Sequence, residues 1–123
     1  MMKYFTDAEF ACKHCGCLLK GGMNAVLLEK LDQLRERVGA PIIVTSGYRC
    51  PVHNANVGGV PNSQHVFGNA ADIICDAVSV NELADLAVEI AFDGIGRYYN
   101  SCFVHVDCRD NGNSPNYYRW EEV

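Results

Sequence analysis

The segment SQHVFGNAADIIC, residues 63–75, carries a charged side chain inside a run of apolar residues. The apolar composition of residues 70–75 predicts a buried β-strand. Asp72 interrupts that strand, and a buried carboxylate is costly unless it is paired or bound to a metal ion. His65 precedes the strand in the same segment. These residues make a buried polar site the first feature to explain.

A second apolar segment, Phe103–Val106, repeats the pattern with His105 at its centre. Taken singly, Asp72 fits a capping aspartate and His105 a hydrogen-bonded core histidine. Two polar residues in two separate apolar strands instead favour one shared site, since adjacent strands bring such side chains together. With His65 they offer two nitrogen ligands and one oxygen ligand, the set that catalytic zinc uses when it keeps a position open for water. We therefore predict that His65, Asp72 and His105 bind Zn²⁺.

The remaining pattern predicts an α+β domain, a small antiparallel sheet with flanking helices, that occupies residues 1–123 as a single domain. Capping boxes begin helices at Thr6 and Ser79, and Asn24 caps a helix of about 14 residues. Residues 46–62 are rich in turn residues and predict a long functional loop, and the tail from residue 110 onward shows no clear element. The predicted strands cover residues 42–45, 70–75, 94–98 and 102–108, the last two as a hairpin.

Composition limits the classes of function. The chain has 10 basic and 15 acidic residues, a net charge of −5, which disfavours nucleic acid as a partner. No apolar run has the length of roughly 20 residues that a membrane span needs. The first seven residues contain no apolar signal core. We expect a monomer.

Seven cysteines is an odd number, so complete pairing within one chain is excluded. Cys12 and Cys15 have the spacing of a zinc knuckle, and Cys50 is a candidate third ligand of a second metal site, which Cys17, His14 or His53 would complete. The alternative is a set of free thiols. Cys75, Cys102 and Cys108 fall in predicted strands and are expected in or near the core.

The segment 63–72 has the form S-x-H-x-x-G-x-A-x-D and resembles the zinc signature of the LAS-type peptidases. That family contains zinc D-alanyl-D-alanine carboxypeptidases and phage L,D-endopeptidases, and it shares its fold with the Hedgehog signalling domain. Phe103–Asp107 resembles the strand that supplies the last zinc ligand, and residues 45–51, TSGYRCP, resemble the segment whose arginine faces the substrate. The resemblance extends from about Phe5 to Trp120.

This resemblance implies a Hedgehog/DD-peptidase-like fold and a zinc-dependent hydrolase that degrades peptidoglycan, as a D,D-carboxypeptidase or an endopeptidase such as a phage endolysin. The substrate would be a stem peptide or cross-bridge. The protein would reach the cell wall by phage or prophage release or by export, and would otherwise stay in the cytoplasm. Arg49 would hold a substrate carboxylate or neutralise the oxyanion. Ser63 would hydrogen-bond the substrate or only cap its loop.

This chain differs from the family pattern at the position of the general base. Several family members have an acid three positions before the last histidine, where this chain has Cys102. Asp107 follows His105 by two residues and so shares its face of the strand, as a general base or as a partner that orients a ligand histidine. The missing acid also leaves a non-catalytic zinc-containing binding module as the alternative function. The aromatic tail, Tyr117–Trp120, either lines a cleft or covers the core.

Overall fold

The computed structural model describes residues 3–59, 63–111, 113 and 117–122. A short 3-10 helix begins the described part, and its capping box closes through the Glu9 carboxylate, which accepts from the Thr6 N–H at 2.6 Å. The elements that follow are α1 (Ala25–Val38), β1 (Ile43–Ser46), α2 (Pro51–Asn56), β2 (Ala70–Ile74), α3 (Val80–Ile90), β3 (Gly94–Tyr98), β4 (Phe103–Asp107) and β5 (Tyr118–Glu122).

The two long helices begin and end where the sequence predicts. The Asn24 side chain accepts from the N–H groups of Val26 and Leu27, and Gly39 ends α1 in the left-handed conformation. The hydroxyl of Ser79 caps α3. Both helices send leucines into one core cluster with the inner side chains of the sheet, so their packing fixes the sheet and thereby the opposite face.

The five strands form one sheet in the order β1-β2-β4-β3-β5. Its first four strands pair antiparallel, and the predicted hairpin of β3 and β4 is confirmed. The four predicted strands form the antiparallel part of the sheet, and β5, which was not predicted, adds to β3 in parallel. A mixed α/β fold is thus confirmed.

Two predictions are corrected. The tail contains β5, an edge strand whose exposed and charged side chains obscured its period. The loop 46–62 contains the six-residue α2, which depends on caps rather than on apolar periodicity: Pro51 opens it and the Cys50 sulfur accepts from the His53 N–H at 3.4 Å. Residues 60–62 of that loop lie outside the described residues, as do 112, 114–116 and 123 of the tail.

One row of cross-strand pairs contains polar residues of the sheet that face away from the core. Asp72 pairs with His105, His105 with Gly96, and Gly96 with Trp120. Paired residues project from the same face of a sheet, so this row brings β2, β4 and β5 to one site. A Cβ at Gly96 would lie 2.4 Å from the Trp120 ring, so only glycine leaves the space that the indole occupies.

Candidate metal centre

The three predicted ligands meet on this face. His65 comes from the turn before β2, Asp72 from β2 and His105 from β4, and their ligand atoms all lie within 4.8 Å of one another. All three residues are buried. Two imidazole nitrogens and one carboxylate oxygen are the donor set of catalytic zinc, so the residues fit that metal.

The carboxylate of Asp72 joins the two histidines. Its Oδ1 lies 3.2 Å from His65 Nε2 and 3.1 Å from His105 Nδ1. Burial alone would raise the pKa of Asp72, but the hydrogen bonds from His105 and His65 hold it well below its usual range. The site therefore keeps a negative charge between two imidazoles, an arrangement suited to a cation.

A backbone carbonyl orients the His65 ring. His65 Nδ1 lies 2.9 Å from the Gly47 carbonyl oxygen, so its N–H donates there and Nε2 is left facing Asp72. Gly47 packs directly on the chain near Phe10: a Cβ at Gly47 would lie 2.7 Å from the Phe10 Cα. This close approach fixes the carbonyl, which is a role that the sequence did not reveal.

Asp107 and Arg109 hold the other histidine from behind. Asp107 Oδ2 lies 2.8 Å from His105 Nε2, while Arg109 donates to both oxygens of Asp107, at 2.9 Å from Nε and 2.7 Å from Nη2. Asp107 is fully buried. Burial opposes its charge, yet Arg109 and His105 hold the pKa of Asp107 below its usual range. Conversely, burial would lower the pKa of His105, but Asp107 and Asp72 raise it.

The centre opens into a cleft of about 690 Å³. Both predicted substrate residues line it. Arg49 lies with Nη2 3.8 Å from Asp72 Oδ2 and donates from Nη1 to Asn54 Oδ1 at 3.0 Å. The Ser63 hydroxyl accepts from the His65 N–H at 3.3 Å, so it does cap its loop while facing the cleft.

The cleft wall also contains Trp120 of the aromatic tail, together with Tyr98 and Glu122, which the sequence pattern did not indicate. Trp120 donates from Nε1 to the Tyr98 hydroxyl at 2.9 Å, and its ring centroid lies 5.1 Å from that of His105. Glu122 is the cross-strand partner of Tyr98, and burial together with the negative charge of Glu122 raises the pKa of the Tyr98 phenol. The tail thus lines the cleft, an alternative that its aromatic composition had left open.

The cysteines lie outside the cleft wall, and they differ in burial and in clustering. Cys12, Cys15 and Cys50 come together in a second cluster away from the cleft. Cys75 and Cys108 are buried, as predicted, but Cys102 is exposed. It occupies the hairpin turn with a positive φ of 57°, so the expectation that it lies near the core is wrong.

Comparison with known proteins agrees with this geometry. The family model for peptidase M15 matches residues 3–107. The chain is also 38% identical over 71 residues to the zinc D-Ala-D-Ala carboxypeptidase of Streptomyces albus G, an alignment that covers 57% of this chain and 28% of that protein. Because the family match spans most of the sequence, this chain belongs to the peptidase M15 family, which confirms the membership that the zinc signature predicted.

Proposed function

We propose that this chain is a zinc-dependent peptidase that hydrolyses peptide bonds of bacterial peptidoglycan, as a D,D-carboxypeptidase or an endopeptidase. The observation that carries the proposal is the convergence of His65, Asp72 and His105 at the floor of a cleft with Arg49 beside them. The similarity to the zinc D-Ala-D-Ala carboxypeptidase of Streptomyces albus G supports the substrate class. We also propose the Hedgehog/DD-peptidase-like fold, a monomer with one domain over residues 1–123, and action at the cell wall.

His65, Asp72 and His105 would hold the zinc. When bound, zinc lowers the pKa of a coordinated water to about 7 and polarises a carbonyl. The protein's own part is to keep the ligands in place. Gly47 fixes the tautomer of His65, and Asp107 fixes that of His105.

Arg49 is proposed to bind the substrate carboxylate or the oxyanion. Its hydrogen bond to Asn54 holds one side of the guanidinium, while the other side faces the cleft near Asp72. A planar guanidinium binds either anion through two parallel hydrogen bonds. Ser63, on the same wall, would hydrogen-bond the peptide backbone.

Asp107 was predicted as a general base or as a partner that orients a histidine. The second role is the one that its contacts support, because both carboxylate oxygens are engaged and no part of the side chain is exposed. Besides Asp72, Glu122 is the acid that lines the cleft among the described residues. We therefore propose Glu122 as the carboxylate that accepts the proton of the attacking water, in place of an acid at position 102.

The test is digestion of purified peptidoglycan with and without a chelator, with the released fragments identified by mass spectrometry. Loss of terminal D-alanine would identify a carboxypeptidase, and release of linked stem peptides an endopeptidase. His65→Ala should abolish both. If wild-type protein retains zinc but cleaves no wall of any chemotype, the binding module is the correct function.

Glu122 has a matched control in its neighbour. Glu121 lies on the other face of β5, where its carboxylate accepts from the Tyr99 hydroxyl. Loss of general-base action typically costs about 10²–10⁴-fold in rate. Glu122→Gln should therefore lower kcat strongly at unchanged zinc affinity, whereas Glu121→Gln should not; equal kcat in the two variants would remove Glu122 from the proposal.

A further inference from the structure

A second cluster of metal-ligating side chains lies outside the cleft. The sulfur atoms of Cys12, Cys15 and Cys50 all lie within 4.8 Å of one another, although Cys50 is 38 residues from Cys12. Cys12 is buried, Cys50 half-buried and Cys15 exposed. All seven cysteines are free thiols. Two separate segments of the chain therefore bring three thiols together, as a metal site would require.

Backbone N–H groups are directed at two sulfur atoms of this cluster. The turn after Cys12 is closed by the Gly16 N–H, which donates to the Cys12 carbonyl at 2.7 Å, and Gly16 has the positive φ of 72° that this turn requires. The Cys50 N–H donates to Cys12 Sγ at 3.4 Å, and the His53 N–H donates to Cys50 Sγ at 3.4 Å. Backbone donors aimed at sulfur stabilise the negative charge that a metal ligand must carry.

Metal binding at thiol ligands releases their protons, because sulfur binds a metal ion as the thiolate. A divalent cation would therefore replace the protons of three thiols whose sulfur atoms already lie within 4.8 Å of one another.

We propose that Cys12, Cys15 and Cys50, with Cys17 as the fourth ligand, bind a structural zinc ion. Four sulfur ligands close the tetrahedron and leave no position for a reacting water, which makes the site structural rather than catalytic. Cys17 is chosen because its thiol donates to the Cys15 carbonyl oxygen at 3.8 Å and its own carbonyl accepts from the Cys12 N–H at 2.8 Å. The stacked rings of His14 and His53, 5.7 Å apart, are the competing source of a fourth ligand.

The proposed ion would join the two segments that converge here. One is the turn that follows the short 3-10 helix Asp7–Phe10, and the other is the loop between β1 and α2 that carries Arg49. Cys50 directly follows Arg49 and also caps α2, the helix that contains the Asn54 partner of the guanidinium. The site would thus position Arg49 at the edge of the cleft, a consequence that rests on the proposed function, whereas the metal site itself does not.

Metal content tests the site directly. Wild-type protein purified without oxygen should contain two zinc ions per chain by native mass spectrometry. His65→Ala and Cys15→Ser should each contain one, and the matched control Cys102→Ser, which changes an exposed thiol elsewhere, should contain two. If Cys15→Ser keeps both ions, or if His65→Ala contains none, the proposal is wrong. These outcomes do not depend on peptidase activity, so failure of the proposed function would be seen separately.

Cobalt substitution in the His65→Ala variant tests the ligands without touching the cluster. The expected spectrum is that of tetrahedral cobalt with sulfur-to-metal charge transfer, and its absence would refute the site. A disulfide among these thiols, detected by alkylation before and after reduction, would also refute it. Cys17→Ser should release the second ion while His14→Ala and His53→Ala keep it; retention in Cys17→Ser would overturn the fourth ligand.

Discussion

Replacement of Asp107 by asparagine separates two roles that sequence alone could not distinguish. The change keeps the shape of the side chain and removes its charge. It leaves Arg109 without the anion to which it donates at 2.7 and 2.9 Å, and it leaves His105 Nε2 with a weaker partner than the oxygen now 2.8 Å away. Both contacts lie on the side of His105 that faces away from the proposed metal site. We therefore expect Asp107→Asn to weaken metal binding first.

The magnitude follows from those contacts. Loss of a partner that orients a metal ligand typically costs about 10–100-fold in metal affinity or activity, which corresponds to about 1.4–2.8 kcal/mol of binding free energy. The free energy of unfolding should also fall. Breaking a buried ion pair costs about 3–5 kcal/mol, but the Arg109 side chain is 24% exposed and water can solvate part of its charge. We therefore expect the lower value, about 1–3 kcal/mol.

Competition with a chromogenic chelator would give the zinc affinity of wild-type and Asp107→Asn protein, and urea denaturation of the metal-free forms would give the stability. Asp110→Asn is the matched control, since it removes an exposed acidic charge from the same turn. An Asp107→Asn protein that binds zinc as tightly as wild type and unfolds at the same urea concentration, but has lost kcat, would rule out the orienting role. That combination would make Asp107 the general base.

Three further predictions test the packing around the site and the thiols. A Cβ at Gly94 would lie 2.1 Å from Asp107 Oδ2, so Gly94→Ala should displace the carboxylate, weaken zinc binding and cost about 1–3 kcal/mol of stability, measured by chelator competition and urea denaturation. Leu31 is fully buried in the core, so Leu31→Ala should lower the free energy of unfolding by about 2–5 kcal/mol at an unchanged zinc ligand set. Burial raises the pKa of the Cys108 thiol to about 12, and the charge of Asp93 adds to that rise; at pH 8 native protein should therefore be alkylated at exposed Cys102 and not at Cys108, as peptide mass spectrometry would show.

The sequence was sufficient to identify His65, Asp72 and His105 as candidate ligands, because their signal is local. A charge or an imidazole inside a short apolar strand is costly to bury unless it has a partner. Two such strands therefore favour a single site that both residues share. The register then places Asp72 directly opposite His105. The helix caps were predictable for the same reason, since a cap is a contact between residues two or three positions apart.

The cleft wall was not predictable in this way, because it depends on pairing between distant segments. Trp120 reaches His105 only because β5 joins β3 in parallel and because Gly96 leaves room for the indole. Nothing near Trp120 in the sequence indicates that partner. Glu122 enters the cleft by the same pairing. The sequence pattern indicated an acid only near His105, because the pairing of β5 with β3 could not be read from the tail.

Asp107 illustrates how far strand periodicity can carry an inference. Two residues after His105, it does lie on the same face of β4, as the alternation of a strand requires. Its row, however, pairs with Gly94 rather than with Gly96, and Arg109 covers it while stacking on Tyr118, 4.3 Å from the ring centroid. A carboxylate in that row can hold the ring of His105 but has no surface on which to meet a substrate. Strand periodicity predicts the face of the sheet from which a side chain projects. Whether that side chain is exposed or buried depends on the residues that neighbouring strands place over it. Only an acid that remains exposed to the cleft can act as a base.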